Sequence, residues 1–108
     1  MAKYEKTLQG NIDDWAEKIR KGILERSSSA SFEDGSFFAE KNAKCRVLVF
    51  ERYSNAGGNR VSMNVTLFQA QEGVVHMSAI ASGGSQALFF KINTWGEEAF
   101  LDTLKDFI

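Results

Sequence analysis

The chain has 108 residues, close to the commonest size of a single domain, with 44% hydrophobic and 25% charged residues. Lys and Arg number 13 against 14 Asp and Glu, so the net charge is -1, which gives no electrostatic reason to expect nucleic acid or an anionic membrane as partner. The single cysteine, Cys45, excludes an intramolecular disulfide. With no signal-like apolar start and no long apolar run, a cytoplasmic protein is expected.

Residues 3–9 read as a short strand ended by Gly10. Asn11 is placed to cap a helix, with Asp13 and Asp14 against the positive end of its dipole. Ile12, Trp15, Ala16, Ile19 and Ile23 recur at helical spacing, and the serines from Ser27 to Ser29 end the element. From Ala30 the period becomes two. Asp34-Gly35 predicts a tight turn between Phe32 and Phe37, hence a hairpin. Residues 42–44 form a further break.

Residues 45–53 are the strongest strand signal. Val47, Leu48, Val49 and Phe50 are apolar on both faces, which predicts a place near the middle of a sheet. Residues 54–59 (SNAGGN) predict a flexible hairpin loop. In residues 60–68, Val61, Met63, Val65 and Leu67 alternate with Ser62, Asn64 and Thr66, the pattern of a strand with one buried and one wetter face. Gln71 to Gly73 turn the chain. Val75, Met77, Ala79 and Ala81 then alternate with His76, Ser78 and Ile80. After a glycine break at Ser82 to Ser85, residues 87–92 are expected as a strand, with a short helical turn the alternative. Thr94 and Glu97 have capping-box spacing. Phe100, Leu101, Leu104, Phe107 and Ile108 mark a final amphipathic helix.

Strands bracketed by helices predict an α+β class in one domain, residues 1–108. The expected architecture is an antiparallel sheet of five to six strands with two amphipathic helices packed on one face. The order β-α-β-β-β-β-β-α resembles a reduced helix-grip arrangement, an analogy that carries no function.

The stretches KYEKTLQGNIDDW (3–15), VFERYSNAGGNRVSMNVTLF (49–68) and SAIASGGSQALFFKINTWGEEAFL (78–101) together resemble a family of small uncharacterised bacterial proteins, a domain of unknown function found mainly in Firmicutes. The resemblance spans nearly the whole chain. It implies a stand-alone bacterial cytoplasmic domain, with no activity, cofactor or catalytic residue to carry over.

One histidine and one cysteine do not supply the three or four ligands of a zinc site, so no metal and no cofactor are expected. Cys45 with His76 is the one conceivable nucleophile–base dyad, and a packed sheet cysteine is the favoured reading. His76, on the side of Ser78, reads as a surface sheet residue. The loop Ser82, Gly83, Gly84, Ser85 and Gln86 would cradle an anion only if a helix followed it. Trp95 is expected at the entrance of the last helix, lining a pocket mouth or anchoring the core. Glu97 and Glu98 are explained by capping.

No catalytic constellation emerges, so enzymatic activity is not expected. The reading that requires least is a small non-catalytic binding or interaction module that self-associates as a homodimer. Its expected interface is the sheet face carrying Ser62, Asn64, Thr66, Phe68, His76, Ser78 and Ile80. The alternative is a small-molecule carrier or enzyme, with a pocket between the sheet and the C-terminal helix near Trp95 and residues 82–86.

Overall fold

The computed structural model of the chain describes residues 1–54, 59–83 and 90–108. Its elements are β1 (Ala2–Gln9), α1 (Ile12–Arg26), β2 (Ser31–Glu40), β3 (Ala43–Ser54), β4 (Asn59–Gln71), β5 (Val74–Gly83) and α2 (Phe90–Lys105). The class is α+β, and the five strands form one antiparallel sheet in the order β1-β5-β4-β3-β2.

Helix α1 starts where its cap chemistry predicts. The Asn11 side-chain oxygen accepts the N–H groups of Asp13 and Asp14 at 2.8 and 3.3 Å. Ile12, Ala16, Ile19 and Ile23 are buried along one stripe. Helix α2 buries Phe100, Leu101 and Leu104, with Phe107 and Ile108 half-buried beyond its end.

Both helices lie on the same sheet face. Arg46 of β3 reaches Asp13 of α1 at 2.7 Å, and Arg52 of β3 meets Thr103 of α2 at 3.3 Å. These arginines share one face of β3 with the buried Leu48 and Phe50. The Arg52 guanidinium also lies 4.7 Å from the Phe100 ring centroid, and burial holds its pKa below the usual value. On the same face, Val61, Met63, Val65 and Leu67 of β4 are fully enclosed, beside Val75, Ala79 and Ala81 of β5. Each such valine, leucine or methionine contributes about 1.5–3 kcal/mol relative to exposure, so the clean alternation of β4 fixes which way the sheet faces.

Three local expectations are corrected. Asp34-Gly35 is not a turn: residues 31–40 are one strand, with a bulge between Phe32 and Asp34. Gly35 answers a close approach, because a Cβ there would lie 2.7 Å from the Val47 carbonyl oxygen. The hairpin turn comes later. Glu40 pairs with Ala43, and Lys41 takes the left-handed conformation at φ 51°. Nothing in a lysine advertises that conformation.

Strand β3 lies beside the central β4, near the middle of the sheet as its two apolar faces predict. Second, residues 90–92 are helical, so the strand expected over 87–92 does not hold there; residues 84–89 lie outside the described part. Third, Thr94 and Glu97 lie inside α2 and form no capping box at its start. Glu97 is buried, and its carboxylate accepts the Gly83 N–H at 2.7 Å while meeting the Met1 ammonium.

Candidate functional site

The sheet has two unlike faces. On one lie α1 and α2. On the other, no element packs among the described residues. Pairing across the strands sorts this open face into rows. Phe38, Cys45, Phe68, His76 and Thr7 form one. Ser36, Val47, Thr66, Ser78 and Glu5 form the next. Asp34, Val49, Asn64, Ile80 and Lys3 form the third.

All seven residues expected at an interface therefore share one surface. Ser62, Asn64, Thr66 and Phe68 come from β4, and His76, Ser78 and Ile80 from β5. Period-two alternation puts them there, since their neighbours fill the core. Phe68 and Ile80 stand out at 43% and 37% exposure, and Phe38 at 65%. Thr66 donates its hydroxyl to the Asn64 side-chain oxygen at 3.0 Å, which pairs two amphipathic groups within the face.

Sequence reasoning missed Phe38, Asp34 and Lys3 as members of this face. The false turn at Asp34-Gly35 hid the first two, because a hairpin there would have reversed the alternation of β2. The signal for Lys3 was present in the weak alternation of residues 3–9, where Leu8 is the apolar marker of the opposite side.

Charge is distributed unevenly over the open face. Its three inner strands carry none of the charged types in the rows from Cys45 to Val49, from Asn64 to Phe68 and from His76 to Ile80. Charge returns at the rim. Asp34 and Glu40 lie on the β2 edge, Lys3 and Glu5 on the β1 edge, and the ion pair Arg60–Glu51 (2.9 Å) at one end. An uncharged centre with large apolar side chains inside a polar rim is the composition of a protein interface. A shallow depression of about 410 Å³ indents the face beside Phe38, Ala43, Cys45 and Phe68.

Cys45 and His76 lie in one row with Phe68 between them. Two strand spacings separate their backbones by about 9–10 Å, beyond direct proton transfer. The His76 ring instead meets the Thr7 hydroxyl at 3.3 Å. Of the residues expected to hold a small ligand, Ser82 and Gly83 end β5, and the Gly83 N–H goes to Glu97. Gly84, Ser85 and Gln86 lie outside the described residues. Trp95 falls within α2, more than a turn past its start at Phe90, and its side chain lies outside the described part.

A second concavity, about 760 Å³, opens at the start of α1 among Asn11, Asp14, Lys41, Asn42, Gln69 and Gln71. Its most buried polar group is fully engaged within the fold. Gln69 accepts the Ile12 N–H at 3.0 Å and donates to the carbonyls of Gly10 and Gln71 at 3.0 and 3.3 Å. This end of the molecule is a fastening between strand and helix.

These features define a one-sided α+β domain: a five-stranded antiparallel sheet with one helix-covered face and one open face. The chain belongs to DUF6054, a family of unknown function, which it matches over residues 1–108. No curated protein and no solved structure matches it. No helix among the described residues is long and apolar enough to cross a membrane.

Proposed function

We propose that this protein is a small, non-catalytic interaction module of the bacterial cytoplasm that acts through its open sheet face and self-associates there as a homodimer. The observation that carries the reading is the uncharged strip on β3, β4 and β5, where Phe68 and Ile80 project inside a charged rim. A quarter of the chain is Asp, Glu, Lys or Arg, so a three-strand surface without any is a marked departure from its own composition.

Size supports the same reading. Strands spaced about 4.8 Å apart with a rise of about 3.3 Å per residue give five strands of eight residues a face of about 600 Å². Two such faces remove about 1,200 Å² from water, above the roughly 1,000 Å² expected of a specific interface. Two-fold homodimers are the commonest assemblies, and a β-sheet face meeting its own copy builds the core of a sandwich.

The alternative, a carrier or enzyme with a pocket between sheet and C-terminal helix, has less support. Phe100, Leu101 and Leu104 of α2 are at most 1% exposed against Val61, Val65, Ala79 and Ala81, so side chains fill that space along the described part of α2.

Light scattering coupled to size exclusion, over a micromolar dilution series, tests the proposal. The expected mass is twice the 12.1 kDa of one chain. Thr66→Arg, which sets charge at the centre of the face, is expected to shift the protein to monomer while leaving its circular dichroism unchanged. A 12.1 kDa species at every concentration overturns the self-association. A dimer indifferent to Thr66→Arg moves the interface away from this face.

A further inference from the structure

The pattern of the open face also selects how a second copy lies on it. A two-fold axis relating two sheets face to face must run in the plane between them, and the aligned packing of sandwich sheets sets it close to along the strands or across them. Because β4 is the middle of five strands, an axis over β4 in either direction superposes the whole of one face on the other. The two directions bring different residues together.

With the axis along the strands, each row meets the same row of the second copy with its strand order reversed. Val49 then lies opposite Ile80, and Asp34 at the β2 edge lies opposite Lys3 at the β1 edge, since all four belong to one row. Phe68, next to the axis, meets its own counterpart. With the axis across the strands and centred on Thr66, the row of Asp34 meets the row of Phe38. Asp34 would then press on an exposed phenylalanine and Lys3 on Thr7, with no opposite charges joined. Apolar residues meet in both arrangements, but rim charges pair only in the first, and the second sets Glu5 against its own counterpart; complementary charge is what fixes register between surfaces.

We infer that two copies of this chain pack sheet to sheet about a two-fold axis running along β4, with Lys3 of each copy facing Asp34 of the other. The inference rests on the homodimer reading of the open face and adds its geometry. Among the described residues Lys3 holds a loose surface contact with Glu5, at 3.8 Å, which is weak enough to give way to a carboxylate across the interface. Asp34 also accepts the N–H of Gly35 at 2.8 Å, so its replacement needs a folding control.

The test uses two single variants, Lys3→Glu and Asp34→Lys, each checked by circular dichroism and then measured for dimer dissociation. Either variant alone sets like charges against each other at both edges of its homodimer, and each is expected to weaken association by about tenfold. An equimolar mixture restores every pairing. Glu at position 3 of one copy faces Lys at position 34 of the other, and the opposite edge keeps the native Lys3 and Asp34. The mixture is therefore expected to form a heterodimer near wild-type affinity. If wild type dimerises but the mixture stays as weak as its parts, the axis is wrong and the homodimer stands. Unweakened single variants overturn the axis in the same way. If wild type is monomeric throughout, the homodimer and its axis fall together.

Discussion

Two buried polar side chains join segments that sequence spacing keeps apart. Gln69 bonds the first N–H of α1, the carbonyl of Gly10 and the carbonyl of Gln71. It occupies the next inward position after Leu67 on β4, so the same alternation that buries valines also buries this amide. Its burial is tolerable because every group it carries is used. Glu97 does similar work at the other end, taking the Gly83 N–H between β5 and α2. Gln69→Leu keeps the volume and removes the partners, which leaves the Ile12 N–H and the Gly10 carbonyl unsatisfied. We expect a loss of roughly 1–3 kcal/mol in urea unfolding. An unchanged midpoint would mean that water replaces the amide at no cost. The period of β4 places Gln69 inward in the sequence itself; its three partners are set only by where Gly10 and α1 come to lie.

At the scale of elements, α1 and α2 touch through a glycine. Gly22 is buried in α1, and a Cβ on it would lie 2.4 Å from the Phe107 ring, which also stacks under Arg26 at 4.5 Å. Alanine is favoured over glycine in a helix by about 1 kcal/mol, whereas overpacking costs about 1–3 kcal/mol. Phe107 follows the end of α2 and its ring can swing away, but only by giving up its packing on α1. The clash should therefore win, and Gly22→Ala should lower the melting temperature. In a Phe107→Ala background the same change should raise it, because only the propensity gain remains. A Gly22→Ala effect of one sign in both backgrounds would place the two helices farther apart than described. Helix α1 itself was legible from its cap and stripe; that its glycine is a contact point was not, because the ring it accommodates is 85 positions away by number.

For the whole molecule, one core cluster joins β1, α1, β3, β4, β5 and α2, so loss of any one exposes the rest. Among the described residues strand β1 pairs with β5 alone, joining chain segments far apart in sequence. Unfolding is therefore expected to be a single transition, with circular dichroism and tryptophan fluorescence coincident. In the proposed homodimer the second copy would bind only the folded face, so the melting temperature should rise with protein concentration. Separate transitions by the two probes would divide the core, and a melting temperature independent of concentration would count against the dimer.

The amino-acid pattern by itself determined the α+β class, the start of α1, the alternation of β4 and β5, and the gathering of Ser62 to Ile80 on one side. Those features depend on local periods of 3.6 and 2 and on short-range capping, which a few consecutive residues specify. Tertiary structure alone decided that Asp34-Gly35 is continuous strand, that Lys41 makes the turn, that residues 90–92 join α2, and that Glu97 is buried. At Gly35 the reason is a neighbouring carbonyl 2.7 Å from where a side chain would begin, and at Glu97 it is an N–H from β5. The row that sets Lys3 and Asp34 at opposite edges was decided the same way, by strand order. Each depends on what a distant segment brings alongside, and no local run of residues encodes its neighbour.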